Sequence, residues 1–111
     1  MFHMLTCFNL KPEIELEAFQ SSLNNFVDHM RGVGLVERTS PIGARQSDTA
    51  MDTDSERSHA YFFTMTFRNR AQVDEAVALL YKHEGTSEVA HHAVYSKVKD
   101  PIFICWQDVE Q

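Results

Sequence analysis

At 111 residues, with 43% hydrophobic and 23% charged residues, the chain has the size and composition of one globular domain. A formal charge of -6 with no basic cluster argues against nucleic-acid binding. No apolar run reaches the ~18 residues of a membrane span. Met1 to Leu10 carries neither Lys nor Arg and no small-residue cleavage site, so no signal peptide is expected and the default location is cytoplasmic.

The residues from Phe2 to Leu10 alternate as a strand, with Phe2, Met4, Thr6, Phe8 and Leu10 on one face and His3, Leu5, Cys7 and Asn9 on the other. Lys11 and Pro12 end it, and Pro12 with Glu13, Glu15 and Glu17 is expected to open a helix. Leu16, Phe19, Leu23, Phe26, Val27 and Met30 give that helix one apolar stripe, which stops at Gly32. Residues 33–46 read as extended, but Pro41 and Gly43 confine them to a sheet edge. Ser47 to Ser58 is polar throughout and forms the one long connection, either a functional loop or a solvated hairpin tip.

His59 to Phe67 is apolar on both faces and reads as a central strand. Asn69 caps the next helix, with Gln72 placed to return the bond. Val73, Ala76, Val77 and Leu80 form that helix's stripe, and Gly85 its stop. Thr86 or Ser87 caps a further helix to about Val98, Asp100 and Pro101 break it, and Ile102 to Trp106 is a last short strand.

Strand, helix, strand, strand, helix, strand is the split β-α-β order of a ferredoxin-like α+β domain, here residues 1–111. Right-handed crossovers put the first and third strands in the middle and both helices on one face. The other face is then left bare and apolar, which predicts a homodimer.

The segments HMLTCFNLKPEIELEAF and FTMTFRNRAQVDEAV, and the spacing between them, resemble the dimeric α+β barrel superfamily. Over nearly its whole length the chain is also similar to a small uncharacterised bacterial family of that type. The superfamily includes cofactor-free monooxygenases, haem-degrading enzymes, stress-response proteins and ligand binders, so the resemblance implies fold more than chemistry. It implies that His3, Leu5, Cys7 and Asn9 point into a space between two sheets, lined also by the aromatic set from His59 to Phe67. Asn9, Arg45, His59 and Tyr61 would then form a polar mouth on an apolar small-molecule site.

Haem-degrading members carry an Asn in the first strand, a Trp ending the third and a His on the next helix. Here those positions are Leu5, Phe67 and either His91 or His92, so haem is not expected. Asp52 to Glu56 spaces carboxylates like a calcium loop, but Arg57 replaces the turn glycine and Phe63 the closing Glu. Cys7 and Cys105 lie in apolar segments without CxxC spacing and are expected to be buried, reduced thiols. No metal or cofactor is therefore expected.

Three functions remain. The first is a homodimer that binds a small molecule, either between sheet and helices or between two sheets. The second is a cofactor-independent monooxygenase or isomerase for an aromatic or polyketide-like substrate, with His59 or Tyr61 transferring the proton. The third is an interaction module whose interior Phe63, Met65 and Phe67 would fill.

Overall fold

β1, Phe2–Leu10, runs through the middle of an antiparallel sheet in the computed structural model, which describes residues 1–110. β4, Tyr61–Phe67, lies on one side of it and β5, Val98–Gln107, on the other. Two short strands, β2 (Arg38–Thr39) and β3 (Gly43–Ala44), pair with the outer side of β4. The interruption between them contains Pro41, which has no amide hydrogen to give a ladder. The helices are α1 (Leu16–Gly32), α2 (Arg70–Tyr81) and α3 (Gly85–Tyr95). The main-strand order β2-β4-β1-β5 is the ferredoxin-like α+β arrangement that the sequence implies.

Four boundaries differ from the sequence reading. Pro12 does not open α1. Lys11 to Ile14 instead form a turn closed by the Ile14 N–H donating to the Lys11 carbonyl at 3.2 Å, with Glu13 at φ 70°. Pro12 supplies the fixed φ of that turn's second residue, and the helix begins two residues later, after Glu15. The central strand starts at Tyr61 rather than His59. Gly85 does not end α2; the chain turns through Lys82 to Glu84, with His83 at φ 50°, and Gly85 at φ 74° becomes the first residue of α3. Nor do Asp100 and Pro101 separate a helix from a short strand. A bulge opposite Phe8, with Asp100 at φ 55°, lets β5 run through both, and an edge strand tolerates the proline.

Register decides which side chains meet the helices. Phe2 pairs with Phe67, Met4 with Met65, Thr6 with Phe63 and Phe8 with Tyr61, and these residues face α1, α2 and α3. On the other face Cys7 pairs with Phe62, Leu5 with Thr64 and His3 with Thr66. The expected grouping of His3, Leu5, Cys7 and Asn9 with Tyr61, Phe63, Met65 and Phe67 is therefore wrong by one face. Antiparallel pairing aligns Phe8, not Asn9, with Tyr61, and the alternation follows from that.

At one end of the helix-facing space the packing is tight. The Phe8 ring is fully buried, with centroids 4.7 Å from Phe19 and 5.7 Å from both Tyr61 and Phe63. Truncating a buried Phe of this kind costs about 3–5 kcal/mol. The bare face keeps Ile104 and Trp106 of β5 at 41% and 43% exposure. Cys7 is buried, as expected, but Cys105 is exposed, because β5 is an edge strand. Cys7 lies opposite Ile102 and Cys105 opposite Met4, so the two free thiols sit on different faces.

Candidate functional site

The helix-facing space is filled at the Phe8 end and hollow at the Phe2 end. The hollow is a cavity of about 490 Å³, within the roughly 300–1,000 Å³ of small-molecule sites. Phe2, Met4, Met65 and Phe67 form its floor and Phe26, Met30 and Val36 its inner wall. α2 roofs it with Val73, Ala76, Val77, Leu80 and Tyr81, while β5 contributes Pro101, Phe103 and Cys105. Met65 and Phe67 thus line a space that they do not fill. Ala76, the buried apolar residue of α2, is too small to fill it from above. Val77, Tyr81 and Phe103 are exposed and mark the opening.

Two polar pins hold the roof. Gln72 is buried at the start of α2, where its N–H donates to Asn69 Oδ1 at 2.9 Å and its Nε2 donates to the Gly34 carbonyl at 3.0 Å. Its Oε1 accepts from the Arg68 N–H, so the expected return bond lands one residue before the cap. On α3, buried Ser87 shares a 2.7 Å hydrogen bond with His29 Nε2 of α1.

Among the described residues, no Lys, Arg, Asp or Glu side chain lines the cavity. Its polar groups are His91 and Tyr95 of α3, Tyr81 and the Cys105 thiol. His91 and Tyr95 are one helical turn apart, with ring centroids separated by 4.8 Å. Desolvation holds the His91 pKa below the usual value, with the Glu88 carboxylate opposing it. Burial pushes the Tyr95 phenol up to about 12, weakly opposed by the Thr6 hydroxyl beside it. Both side chains are therefore uncharged at neutral pH. Partial desolvation beside the cavity also raises the Cys105 thiol pKa, with Arg70 opposing it.

None of Asn9, Arg45, His59 and Tyr61 lines this cavity. Three of them gather around Ala60. Asn9 Oδ1 accepts from the Ala60 N–H at 2.8 Å, the Arg45 N–H donates to the Ala60 carbonyl at 2.8 Å, and His59 is its chain neighbour. Tyr61 points to the helix-facing side, beside Phe8. His59 is buried, and its Nε2 donates to the Asp100 carbonyl at 2.7 Å across the bulge.

Arg45 is engaged by its own loop. Its Nε and Nη2 form a two-pronged pair with Asp52 at 2.9 Å each, Nη2 also donates to the Asp54 carbonyl at 2.8 Å, and Nη1 donates to the Arg57 carbonyl. Arg57 in turn donates to Asp54 Oδ2 at 2.7 Å, and Asp54 Oδ1 accepts the Glu56 N–H at 2.9 Å. These bonds hold the Asp54 pKa down at about 2, the Arg57 guanidinium being the first cause. Ser47 to Ser58 is thus wrapped around one guanidinium. Sequence reasoning missed His91 and Tyr95 as a pair, although their i, i+4 spacing puts them on one helix face.

A five-stranded antiparallel sheet, four of its strands in the order β2-β4-β1-β5, with helices on one side and a hollow beneath them, is a ferredoxin-like α+β fold. Residues 1–109 match a family described as a family of unknown function (DUF6614), and the chain belongs to it. No curated relative matches the sequence. Among solved structures it is similar to the Arabidopsis thaliana protein At3g17210, with TM-score 0.74 and 11% identity, covering 100% of this chain and 98% of that one. A variant of SnoaB, a cofactor-independent oxygenase from Streptomyces nogalater, superimposes with TM-score 0.67 and 7% identity over 99% and 94% of the two chains. A dimeric ferredoxin-like protein of unknown function from Jannaschia sp. CCS1 gives TM-score 0.64 and 14% identity over 96% and 98%. At these identities the likeness is one of fold.

Proposed function

We propose that the protein is a homodimer that binds an uncharged, largely apolar small molecule in the cavity between sheet and helices. The observation that carries this reading is the cavity itself, about 490 Å³ and, among the described residues, lined by no carboxylate, ammonium or guanidinium group. A charged ligand would lose its hydration there without gaining a partner, whereas an apolar one gains burial. Asn9, Arg45 and His59 lie outside the cavity and frame the loop and the sheet end. The bare face, with Ile102, Ile104 and Trp106 exposed, supports a second copy as its cover. The dimeric Jannaschia relative of the fold is consistent with that arrangement.

Titration with Nile red, a neutral apolar dye, tests the binding reading. One dye per chain should bind with enhanced emission, and Ala76→Phe, which puts a ring into the cavity, should weaken binding about tenfold or more. Equal binding by wild type and Ala76→Phe would place the dye elsewhere.

A further inference from the structure

We propose that His91 and Tyr95 act together as an acid–base pair that shifts a proton within an uncharged carbonyl compound held in the cavity. The inference rests on the cavity being the ligand site. Three observations lead to it. Both residues line the cavity, on α3, with ring centroids 4.8 Å apart. Among the described residues, His91 forms no hydrogen bond or ion pair with another protein group, in contrast to His3, His29, His59 and His83, and the Tyr95 phenol has only the Thr6 hydroxyl acting on it, which leaves its own O–H free to donate. And the surrounding wall is apolar, so a ligand's own polar group would meet these two and few others.

The protonation states suit the roles. A neutral imidazole accepts a proton, while a phenol that stays protonated throughout the neutral range donates a hydrogen bond. In the first step an imidazole nitrogen of His91 takes the proton from the carbon next to the ligand's carbonyl. The C–H bonding pair becomes a C=C bond and the carbonyl π pair moves to oxygen. The Tyr95 O–H donates its hydrogen bond to that enolate oxygen. The imidazolium then returns a proton to the original carbon, or to the far carbon of an adjoining C=C. The outcome is exchange or a shifted double bond, with no oxidant or reductant consumed.

The charged and titratable neighbours allow this. Glu88 favours the imidazolium, while His83 and His92 disfavour it. Tyr81 of α2 and Cys105 of β5 also face the cavity, and the Phe26 ring of α1 lies 5.5 Å from the His91 ring, inclined at 62°.

The probe is 2-tetralone in deuterated buffer, with loss of its α-proton signals followed by NMR and its binding followed by saturation transfer. Wild type should exchange the α-protons faster than the same concentration of free imidazole, with a rate that rises with pH to a plateau. The midpoint should lie below the usual histidine value, because the base must be neutral and desolvation depresses its pKa. His91→Asn should lose about 100-fold or more of that rate while still binding the ketone. Tyr95→Phe should lose less, and exposed His92→Asn should behave as wild type. Binding without exchange by wild type, or equal exchange by His91→Asn, would overturn the acid–base pair and leave the binding cavity standing. Failure to bind 2-tetralone while Nile red still binds would overturn the carbonyl class. Failure to bind either would overturn both readings.

Discussion

Ser87 on α3 and His29 on α1 share a 2.7 Å hydrogen bond that fixes one end of the cavity roof, and Ser87 is buried where they meet. Ser87→Ala leaves the imidazole without that partner, a loss worth about 1–2 kcal/mol. Chemical denaturation should show that decrease in stability. Amide hydrogen exchange in α3 should also rise relative to the Phe8 core. Unchanged protection in α3 would mean that packing of Val94, not this bond, holds the helix.

At the other end, Asn69→Ala removes the oxygen that accepts the Gln72 N–H at 2.9 Å. An N-cap lost in this way costs about 1 kcal/mol. The change should lower the denaturation midpoint and weaken Nile red binding modestly, because α2 supplies five residues of the cavity wall. A destabilised variant with identical dye affinity would separate the roof from the binding site.

The loop from Ser47 to Ser58 should respond to acid. Asp54 has a folded pKa of about 2, depressed from the ordinary carboxylate value by Arg57 and the Glu56 amide. For a depressed carboxylate the stabilisation is present above the unfolded pKa and is lost as pH falls through the folded one. Loop proteolysis should therefore accelerate between about pH 4 and pH 2 in wild type. It should be fast already at neutral pH in Arg45→Ala, which loses both prongs to Asp52 and the two carbonyl contacts. Nile red affinity of Arg45→Ala should match wild type, since the loop does not line the cavity. A lost dye site in Arg45→Ala would return Arg45 to the binding role that the sequence suggests.

The thiols should differ. Cys105 is exposed and Cys7 buried, and they lie on opposite faces of the sheet. Alkylation of the native protein should modify Cys105 first, with Cys7 reacting only on unfolding, and no disulfide should appear in unreduced protein. Simultaneous modification of both would mean that β1 opens readily.

The second copy is tested at Trp106, which the bare face holds at 43% exposure. Light scattering should report about twice 12.8 kDa for wild type, and Trp106→Asp should shift it toward the single chain. A wild-type monomer at micromolar concentration would leave the apolar face without its proposed cover.

Much of this architecture is legible in the residues. The stripe from Phe19 to Met30 and the alternation of Phe2 to Leu10 specify α1 and β1, because burial leaves a periodic record in sequence. The Asn69–Gln72 cap is readable for the same reason: its bonds are local. Which face of β4 meets which face of β1 is not. Both faces of HAYFFTMTF are apolar, so composition cannot set the side, and a one-residue change of pairing inverts it. The role of Arg45 is hidden too, since its partners Asp52, Asp54 and Arg57 look in sequence like any solvated acidic loop. The cavity is less legible still. It lies under the small Ala76 and is volume that side chains leave empty.

The methionines offer the most direct test of that empty volume. Met4, Met30 and Met65 line the cavity, while Met1 and Met51 are exposed, at 42% and 89%. With ¹³C-methyl methionine and added Nile red, the Met4, Met30 and Met65 methyl signals should shift with ring-current magnitude and saturate at one dye per chain. Met1 and Met51 should stay in place. Shifts confined to Met51 or Met1, with the three cavity methyls unmoved, would contradict the account.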